Sequence, residues 1–216
     1  MKQLTVKRIS QTIDSAAQVA TVLEQQGVER HPVDVVNWEA YPYAPAVTFQ
    51  IAHDDRHIFL HWQVEENAVG AVETHDNGRV WEDSCVEFFL SPDANDTYYN
   101  LECNCIGTAL LGGGRVNTER PHATPQTMSQ IHRWSSLGYQ PIDPAATTGS
   151  WQLSLIIPVE CYFLHQLTSL SGREMRANFY KCGDLLPTPH FLSWNAIDTP
   201  SPSFHQPSFF GKIMFE

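Results

Sequence analysis

The chain has 216 residues, of which 42% are hydrophobic and 11% aromatic, so it can form a sizeable core and is not a largely disordered protein. Its 13 Lys and Arg against 24 Asp and Glu give a formal net charge of −11, which disfavours binding to nucleic acid or to anionic membranes. No stretch approaches the roughly 18 consecutive apolar residues of a membrane-spanning helix. We expect a single domain over residues 1–216.

The N-terminal region predicts a short edge strand followed by one helix. Residues Thr5 to Ser10 favour the strand, and Asp14 is placed to cap a helix that ends at Gly27. Segment 1–20 carries positive charge but lacks the continuous apolar core of a signal peptide. As given, the chain is therefore expected to be cytoplasmic, or secreted or periplasmic if a signal has been removed.

A period of two in the apolar residues predicts a series of strands beyond the helix. The alternating apolar positions are Val47, Phe49 and Ile51; Ile58, Leu60, Trp62 and Val64; and Trp151, Leu153, Leu155 and Ile157. Segment 53–57 is predicted to be a hairpin turn, and 176–182 and 213–215 to be further strands. His53, His57 and His61 would suit a metal if they lay on a helix, but the strand pattern favours histidines without a metal.

Residues 79–106 predict two paired strands that each have an apolar and a polar face. The second strand places Tyr99, Leu101, Cys103 and Cys105 on the apolar face, and Asn100, Glu102 and Asn104 on the polar face. Glu87 joins the polar row if the strands pair, and Trp81 lies just before the first strand. Amides and carboxylates beside an aromatic ring suit a pyranose, which has an apolar C–H face and a rim of hydroxyls.

Two stretches rich in glycine or proline predict irregular structure. Gly112–Gly114 lacks the spacing of a phosphate-binding loop, so a flexible bend is expected there. Segment 187–207 contains five prolines together with His190, Trp194 and His205. A long irregular segment inside a compact domain is often functional.

The sequence offers one candidate cofactor and no disulfide framework. Asp93, Asn95 and Asp96 form an oxygen-rich loop that makes Ca²⁺ a candidate, although the spacing of an EF-hand is absent. Five cysteines, an odd number without a CxxC motif, favour buried free thiols.

Many short strands with a single helix predict an all-β fold, an antiparallel two-sheet β-sandwich of the jelly-roll type with one short N-terminal helix. The polar strand face leaves three functions open. The first is carbohydrate binding, and the second is glycoside hydrolysis by Glu87 and Glu102, which needs two carboxyls about 5–10 Å apart. The third is an interaction or structural domain without a ligand. The plainest alternative to all three is that Glu87 and Glu102 simply belong to the solvent face of a sheet.

Five segments resemble the carbohydrate-binding modules of family 9, in particular the stand-alone family 9-like bacterial proteins. They are VWEDSCVEFFL, YYNLECNCIGT, ANFYKCGD, HFLSWNAI and FHQPSFFGKIMF, and they lie in the C-terminal two thirds of the chain. The resemblance implies a β-sandwich related to the DOMON domains. It favours a binding module over an enzyme, in the context of polysaccharide or oligosaccharide breakdown. Members of the family clamp a terminal sugar between two tryptophans and bind calcium structurally.

The resemblance also implies which residues contact the sugar. They are Trp81, Glu87, Asn100, Glu102, Asn104, Asn178, Lys181, His190 and Trp194. Trp81 and Trp194 would form the two walls of the clamp, and Glu87 would accept hydrogen bonds from hydroxyls. Asn178, Lys181 and His190 would be polar groups on the rim. The family tends to carry an arginine where Glu102 stands. The expected partner is a mono- or oligosaccharide, with neither nucleic acid nor a membrane.

Overall fold

The computed structural model describes residues 1–93, 97–116, 118–144 and 149–216. Its helices are α1 (Val19–Gln25) and α2 (Pro125–Met128), and short 3-10 turns occur elsewhere. Its strands are β1 (Gln3–Arg8), β2 (His31–Pro32), β3 (Val35–Val36), β4 (Ala46–His53), β5 (His57–Glu66), β6 (Cys85–Ser91), β7 (Tyr98–Asn104), β8 (Ala109–Gly114), β9 (His132–Ser135), β10 (Gly149–Pro158), β11 (Glu174–Cys182), β12 (Phe191–Ser193) and β13 (Gly211–Phe215).

The strands form two sheets that share β1. The first sheet has the order β8-β7-β6-β11-β13-β1, with β12 and β3 continuing from β11, and the second has the order β1-β4-β5-β10-β9, with β2 beside β4. Residues 3–6 of β1 pair with β13 and residues 7–8 pair with β4. Strand β1 therefore passes from one sheet to the other.

The prediction of a purely antiparallel sandwich is wrong at β1, which is parallel to both of its neighbours. An antiparallel direction is imposed most strongly where a tight turn joins two strands. No such turn joins β1 to β4 or to β13, because a helix and most of the chain respectively lie between them. The sheet system is therefore mixed, and mostly β as predicted.

The main core lies between the two sheets. The first sheet contributes Val86, Phe88, Leu90, Leu101, Phe179 and Ile213, and the second contributes Phe49, Ile51, Leu60, Trp62, Leu153 and Leu155. The rings of Phe49 and Phe179 stack across the interface with centroids 3.7 Å apart. The predicted apolar face of β7 is confirmed, because Tyr99, Leu101, Cys103 and Cys105 all belong to this core.

The predicted N-terminal helix exists, but its cap is one residue later than expected. Ser15 caps a 3-10 turn at 16–18 that continues into α1, and Gly27 ends the helical region with φ of 62°. The buried face of α1 packs on the outer side of the second sheet against Ala52, Phe59 and Ile156. Within the described ranges, no helix is long and apolar enough to cross a membrane.

The triple glycine belongs to strand β8, so the prediction of a flexible bend is wrong for Gly112 and Gly113. A Cβ atom at Gly112 would lie 2.7 Å from Asn100 Oδ1, and one at Gly113 would lie 2.9 Å from the ring of Tyr99. Glycine is required because side chains of β7 lean over the neighbouring strand. The missing side chain at Gly112 leaves room for the Asn100 side chain on the polar face of the sheet.

Candidate functional site

The polar faces of β6 and β7 form the floor of a pocket on the outer side of the first sheet. The two strands pair, so Glu87 joins the polar row as predicted; it is the register partner of Glu102, and Asn100 lies on the same face. Cys182 of the neighbouring β11 also belongs to the floor. These four residues are only 1% to 5% exposed, so they are not a solvent-facing row.

Surrounding segments of the chain close the pocket above this floor. A 3-10 turn before β6 supplies Trp81, the connection after β8 supplies Arg120 and His122, and the connection between β12 and β13 supplies Pro202–His205. The pocket has a volume of about 420 Å³, which is in the range of small-molecule sites. It is lined by Trp81, Glu87, Asn100, Glu102, Leu110, Gly112, Arg120, His122, Cys182, Asp184, Phe191, Pro202, Ser203, Phe204 and His205.

A short chain of hydrogen bonds orients one side of the floor. Arg120 Nη2 donates to Asn100 Oδ1 at 2.5 Å, and Asn100 Nδ2 donates to Glu102 Oε1 at 2.8 Å. The Arg120 guanidinium also lies 3.8 Å from the centre of the Tyr98 ring and donates to two backbone carbonyls. The Asn100 amide is thereby fixed, with its oxygen toward arginine and its nitrogen toward the carboxylate.

Glu87 has a weaker protein partner than Glu102. Cys182 Sγ donates to Glu87 Oε1 at 3.1 Å. Burial raises the pKa of Cys182 well above its ordinary value, so the group is a neutral thiol, which is a weak donor. The Glu87 carboxyl therefore retains most of its capacity to bind a ligand.

Burial is the main cause of raised pKa values among the acids of the pocket. It raises the pKa of Glu102 to about 7, with Asp184 adding to the rise, and that of Asp184 to about 6. The pKa of Glu87 is raised well above its ordinary value by burial, by Cys182 and by Glu102. A ligand that donates hydrogen bonds to these carboxyls would relieve the cost of burying them.

Trp81 reaches the pocket and Trp194 does not. Trp81 is partly exposed on the rim, with the Arg79 guanidinium 5.8 Å from the centre of its ring. Trp194 is 3% exposed and packs edge-on against Phe179 in the main core, with ring centroids 5.6 Å apart. The predicted clamp of two tryptophans is therefore not formed, because the Trp194 side chain, just after β12, faces the opposite sheet and meets Phe49 there.

Two predicted contact residues support backbone near the pocket instead of lining it. Asn104 donates to Asp83 Oδ2 and to the carbonyl of Glu73, both at 2.9 Å. Asn178 Nδ2 donates to the carbonyl of Asn195, and Asn178 Oδ1 accepts from the Asn195 amide, again at 2.9 Å. Both amides are satisfied by these bonds, which hold neighbouring loops in place.

Lys181 and His190 lie inside the protein, on the opposite side of β11 from Cys182. Lys181 Nζ is 2.8 Å from Glu66 Oε2 and 2.8 Å from His190 Nε2. Glu66 also accepts from Trp151 Nε1 at 2.6 Å. Lys181 is fully buried and His190 is 1% exposed, so neither is a rim group. They form a buried network between the sheets.

The calcium ion that the resemblance implies stays a prediction, because most of the predicted loop cannot be compared with the structure. Asn95 and Asp96 of the predicted calcium loop lie outside the described residues, and Asp93 Oδ2 is paired with His165 Nε2 at 3.1 Å. Within the described ranges, the one group of three side chains placed to share an ion is Cys85, Glu87 and Cys182. Calcium prefers oxygen ligands, so a set with two thiols does not suit it.

The pocket contains residues that the sequence analysis missed. Arg120 stands in a polar stretch with no periodic pattern, and nothing in the sequence places it above Asn100. Asp184 was also missed. Phe204 was not predicted individually, but segment 187–207, which the sequence marks as functional, supplies it to the pocket. Five free buried cysteines were expected and are confirmed.

A β-sandwich with a pocket on the outer face of one sheet is the architecture of a class of ligand-binding modules. Residues 17–215 match the model of carbohydrate-binding family 9, and the chain belongs to this family. A search of curated proteins found no match.

Solved structures agree with this assignment. A protein of Bacteroides uniformis, to which carbohydrate binding has been provisionally assigned, is 50% identical with a TM-score of 0.96, over 100% of this chain and 99% of that chain. A family 9 module of Caldicellulosiruptor kristjanssonii in complex with glucose is 13% identical with a TM-score of 0.64, over 100% and 96% of the two chains. The module from that organism in complex with cellotriose has 12% identity and a TM-score of 0.63, over 100% and 94%. At these low identities, the two complexes show a shared fold.

Proposed function

We propose that this protein binds the end of a mono- or oligosaccharide in the pocket above β6 and β7, in the context of polysaccharide or oligosaccharide breakdown. The observation that carries the proposal is the buried pair Glu87 and Glu102, which face a pocket of about 420 Å³ beside Trp81. Carboxylates accept hydrogen bonds from hydroxyls, and buried acceptors bind them more strongly than exposed ones.

The polar groups of the floor suit the rim of a sugar ring. Glu87 and Glu102 would accept from hydroxyl groups, while Arg120 would donate to a hydroxyl or ring oxygen. Because Asn100 is held between Arg120 and Glu102, the three groups keep a fixed spacing before the ligand arrives. Pre-oriented groups reduce the entropy lost on binding.

The apolar face of the sugar needs an aromatic surface, and Trp81 provides one on the rim. Phe204 takes the place that the resemblance gave to a second tryptophan. It lines the pocket and is held by the Tyr180 ring, which stacks on it with centroids 4.2 Å apart. Stacking on one or two rings together with a few hydrogen bonds is consistent with micromolar to millimolar affinity.

The relatives support this choice of ligand class. The chain is 50% identical over its whole length to the Bacteroides uniformis protein, and the more distant modules hold glucose and cellotriose. These two sugars are therefore the first probes.

Calorimetric titration with glucose, cellotriose and the alditol of cellotriose tests the proposal. We expect saturable binding of at least one sugar. If the protein recognises the reducing end, cellotriose should bind and its alditol should not. Trp81→Ala should weaken binding at least about tenfold, or about 1.4 kcal/mol. Tyr139→Ala is the matched control, because Tyr139 is 62% exposed and does not line the pocket. A folded protein that binds sugar equally well without the Trp81 ring would contradict the proposal.

Glycoside hydrolysis is the second candidate, favoured by the raised pKa of Glu102. A general acid must hold its proton near neutral pH, and directly opposed carboxyls on adjacent strands suit the short spacing of retaining enzymes. Release of 4-nitrophenol from aryl glycosides, abolished by Glu87→Gln and only weakened by Trp81→Ala, would establish it. The binding proposal expects no release above the buffer rate.

A further inference from the structure

We propose that Cys85, Glu87 and Cys182 form a site for a thiophilic divalent cation of the Zn²⁺ class at the floor of the pocket. The three residues come from two adjacent strands. Cys85 and Glu87 are two residues apart on β6 and share a face, and Cys182 of β11 is the register partner of Cys85. Rigid paired strands therefore bring all three side chains to one point.

The distances suit a shared ion. The two Sγ atoms and a carboxylate oxygen of Glu87 all lie within 4.8 Å of one another, and Cys182 Sγ is 3.1 Å from Glu87 Oε1. Zinc bonds of roughly 2.3 Å to sulfur and 2.0–2.2 Å to oxygen place tetrahedral ligands roughly 3.5–3.8 Å apart. Side-chain shifts of about 1 Å or less would complete the geometry.

The chemistry of the ligand set selects the kind of ion. Two thiolates and one carboxylate offer soft donors with a total charge of −3, which favours zinc and similar metals over calcium or magnesium. Binding releases to solvent the protons of the two thiols and any proton held by the Glu87 carboxyl, so the buried site becomes a metal with three anionic ligands.

The pocket supplies access and an open coordination position. Glu87 and Cys182 both line it, whereas Cys85 lies behind them and is fully buried. A metal held by three protein ligands would complete a tetrahedron with water or a ligand atom from the pocket side. The carboxyl of Glu87, 3% exposed with a thiol as its hydrogen-bond donor, is the group that a cation would satisfy.

Co²⁺ is the probe, because thiolate ligation gives it an intense near-ultraviolet charge-transfer absorption. Titration of the reduced protein should give that absorption at one equivalent, and Zn²⁺ should remove it by displacement. The variant Cys85→Ala/Cys182→Ala should lose the absorption. The matched control is Cys103→Ala/Cys161→Ala, whose thiols lie in the main core, and it should keep the absorption. Absence of the absorption, or its persistence without Cys85 and Cys182, would overturn the proposal.

A second measurement uses the unaltered protein and does not depend on the folding of a variant. Crystals soaked in Zn²⁺ should show an anomalous difference peak at the zinc edge between the Sγ atoms of Cys85 and Cys182. A peak only elsewhere, or none, would overturn the proposal. Sugar titration of the metal-free protein is scored separately, so failure of this site and failure of the sugar proposal remain distinguishable.

Discussion

Glu87 and Glu102 oppose each other directly on β6 and β7, with exposures of 3% and 4%. Like charges at directly opposed positions destabilise a strand pair, and burial adds the cost of removing each carboxylate from water. A pair of this kind lowers the stability of the empty protein. A destabilising pair at the floor of a pocket is expected where residues serve ligand binding at a cost in stability.

Glu102→Gln should therefore stabilise the protein, increasingly so at higher pH. The folded pKa of about 7 lies above the ordinary value of 4.5, so the folded state holds this proton more tightly than the unfolded state. The favourable contribution of protonated Glu102 to the free energy of unfolding is fully present below about pH 4.5 and is lost as the pH rises through 7. We expect a gain of about 1–3 kcal/mol at pH 8 and little change at pH 4. Urea unfolding at the two values measures it, and equal effects at both would contradict the pKa shift.

Trp194→Phe should lower stability without changing sugar affinity by more than about twofold. The indole fills the main core so closely that a Cβ atom at Gly211 would lie 2.4 Å from its Cζ3 atom. The larger truncation Trp194→Ala should lower the free energy of unfolding by about 3–5 kcal/mol. Denaturant unfolding and sugar titration of the same samples separate the two effects. Trp81→Ala is the reciprocal control, with weaker binding and nearly unchanged stability.

Gly112→Ala should weaken sugar binding about tenfold. The new Cβ atom would come within 2.7 Å of Asn100 Oδ1, so Asn100 must move and release its bonds to Arg120 and Glu102. Gly149→Ala is the matched control, since nothing lies within 4 Å of a Cβ atom there. Calorimetric titration of both variants checks the prediction. Equal affinities would show that the orientation of Asn100 does not matter.

Lys181→Met should destabilise the protein by about 3–5 kcal/mol, because it leaves the buried Glu66 carboxylate without its cation. Adding Glu66→Gln should recover much of this loss, since the amide is neutral and can still accept from Trp151 Nε1. Lys212→Met, which breaks an exposed ion pair with Glu174, should change stability by no more than about 1 kcal/mol. Unfolding curves that are similar for Lys181→Met and Lys212→Met would contradict a structural role for the buried pair.

The alternation of apolar and polar residues predicted which face of a strand packs in the core. The alternation along 98–104 correctly divided β7 into a core face and a polar face, and the polar row predicted for Glu102 does include Glu87. The helix cap was displaced by one residue because Asp14 and Ser15 are both good caps and differ only in backbone position. Such features depend on near neighbours in the chain.

Features that depend on distant parts of the chain were not predictable in this way. Trp194 directly follows β12, which has only three residues in which to show a period, so the sequence does not indicate whether its side chain faces the pocket or the core. The prediction that Lys181 lies on the rim is wrong because its partner, Glu66, is on another sheet and has no signal near Lys181 in the sequence. Arg120 reaches Asn100 from a connection whose path is set by tertiary packing.

The central claim is that the buried carboxyls of the pocket bind sugar hydroxyls. Calorimetric titration of the unaltered protein, Glu87→Gln and Glu102→Gln with the sugar that binds best tests it most directly. Glu65→Gln serves as control, because Glu65 is exposed on the second sheet. We predict that both pocket variants lose at least about tenfold in affinity, or about 1.4 kcal/mol, while the control is unchanged. Unaltered affinity in folded Glu87→Gln and Glu102→Gln would contradict the account.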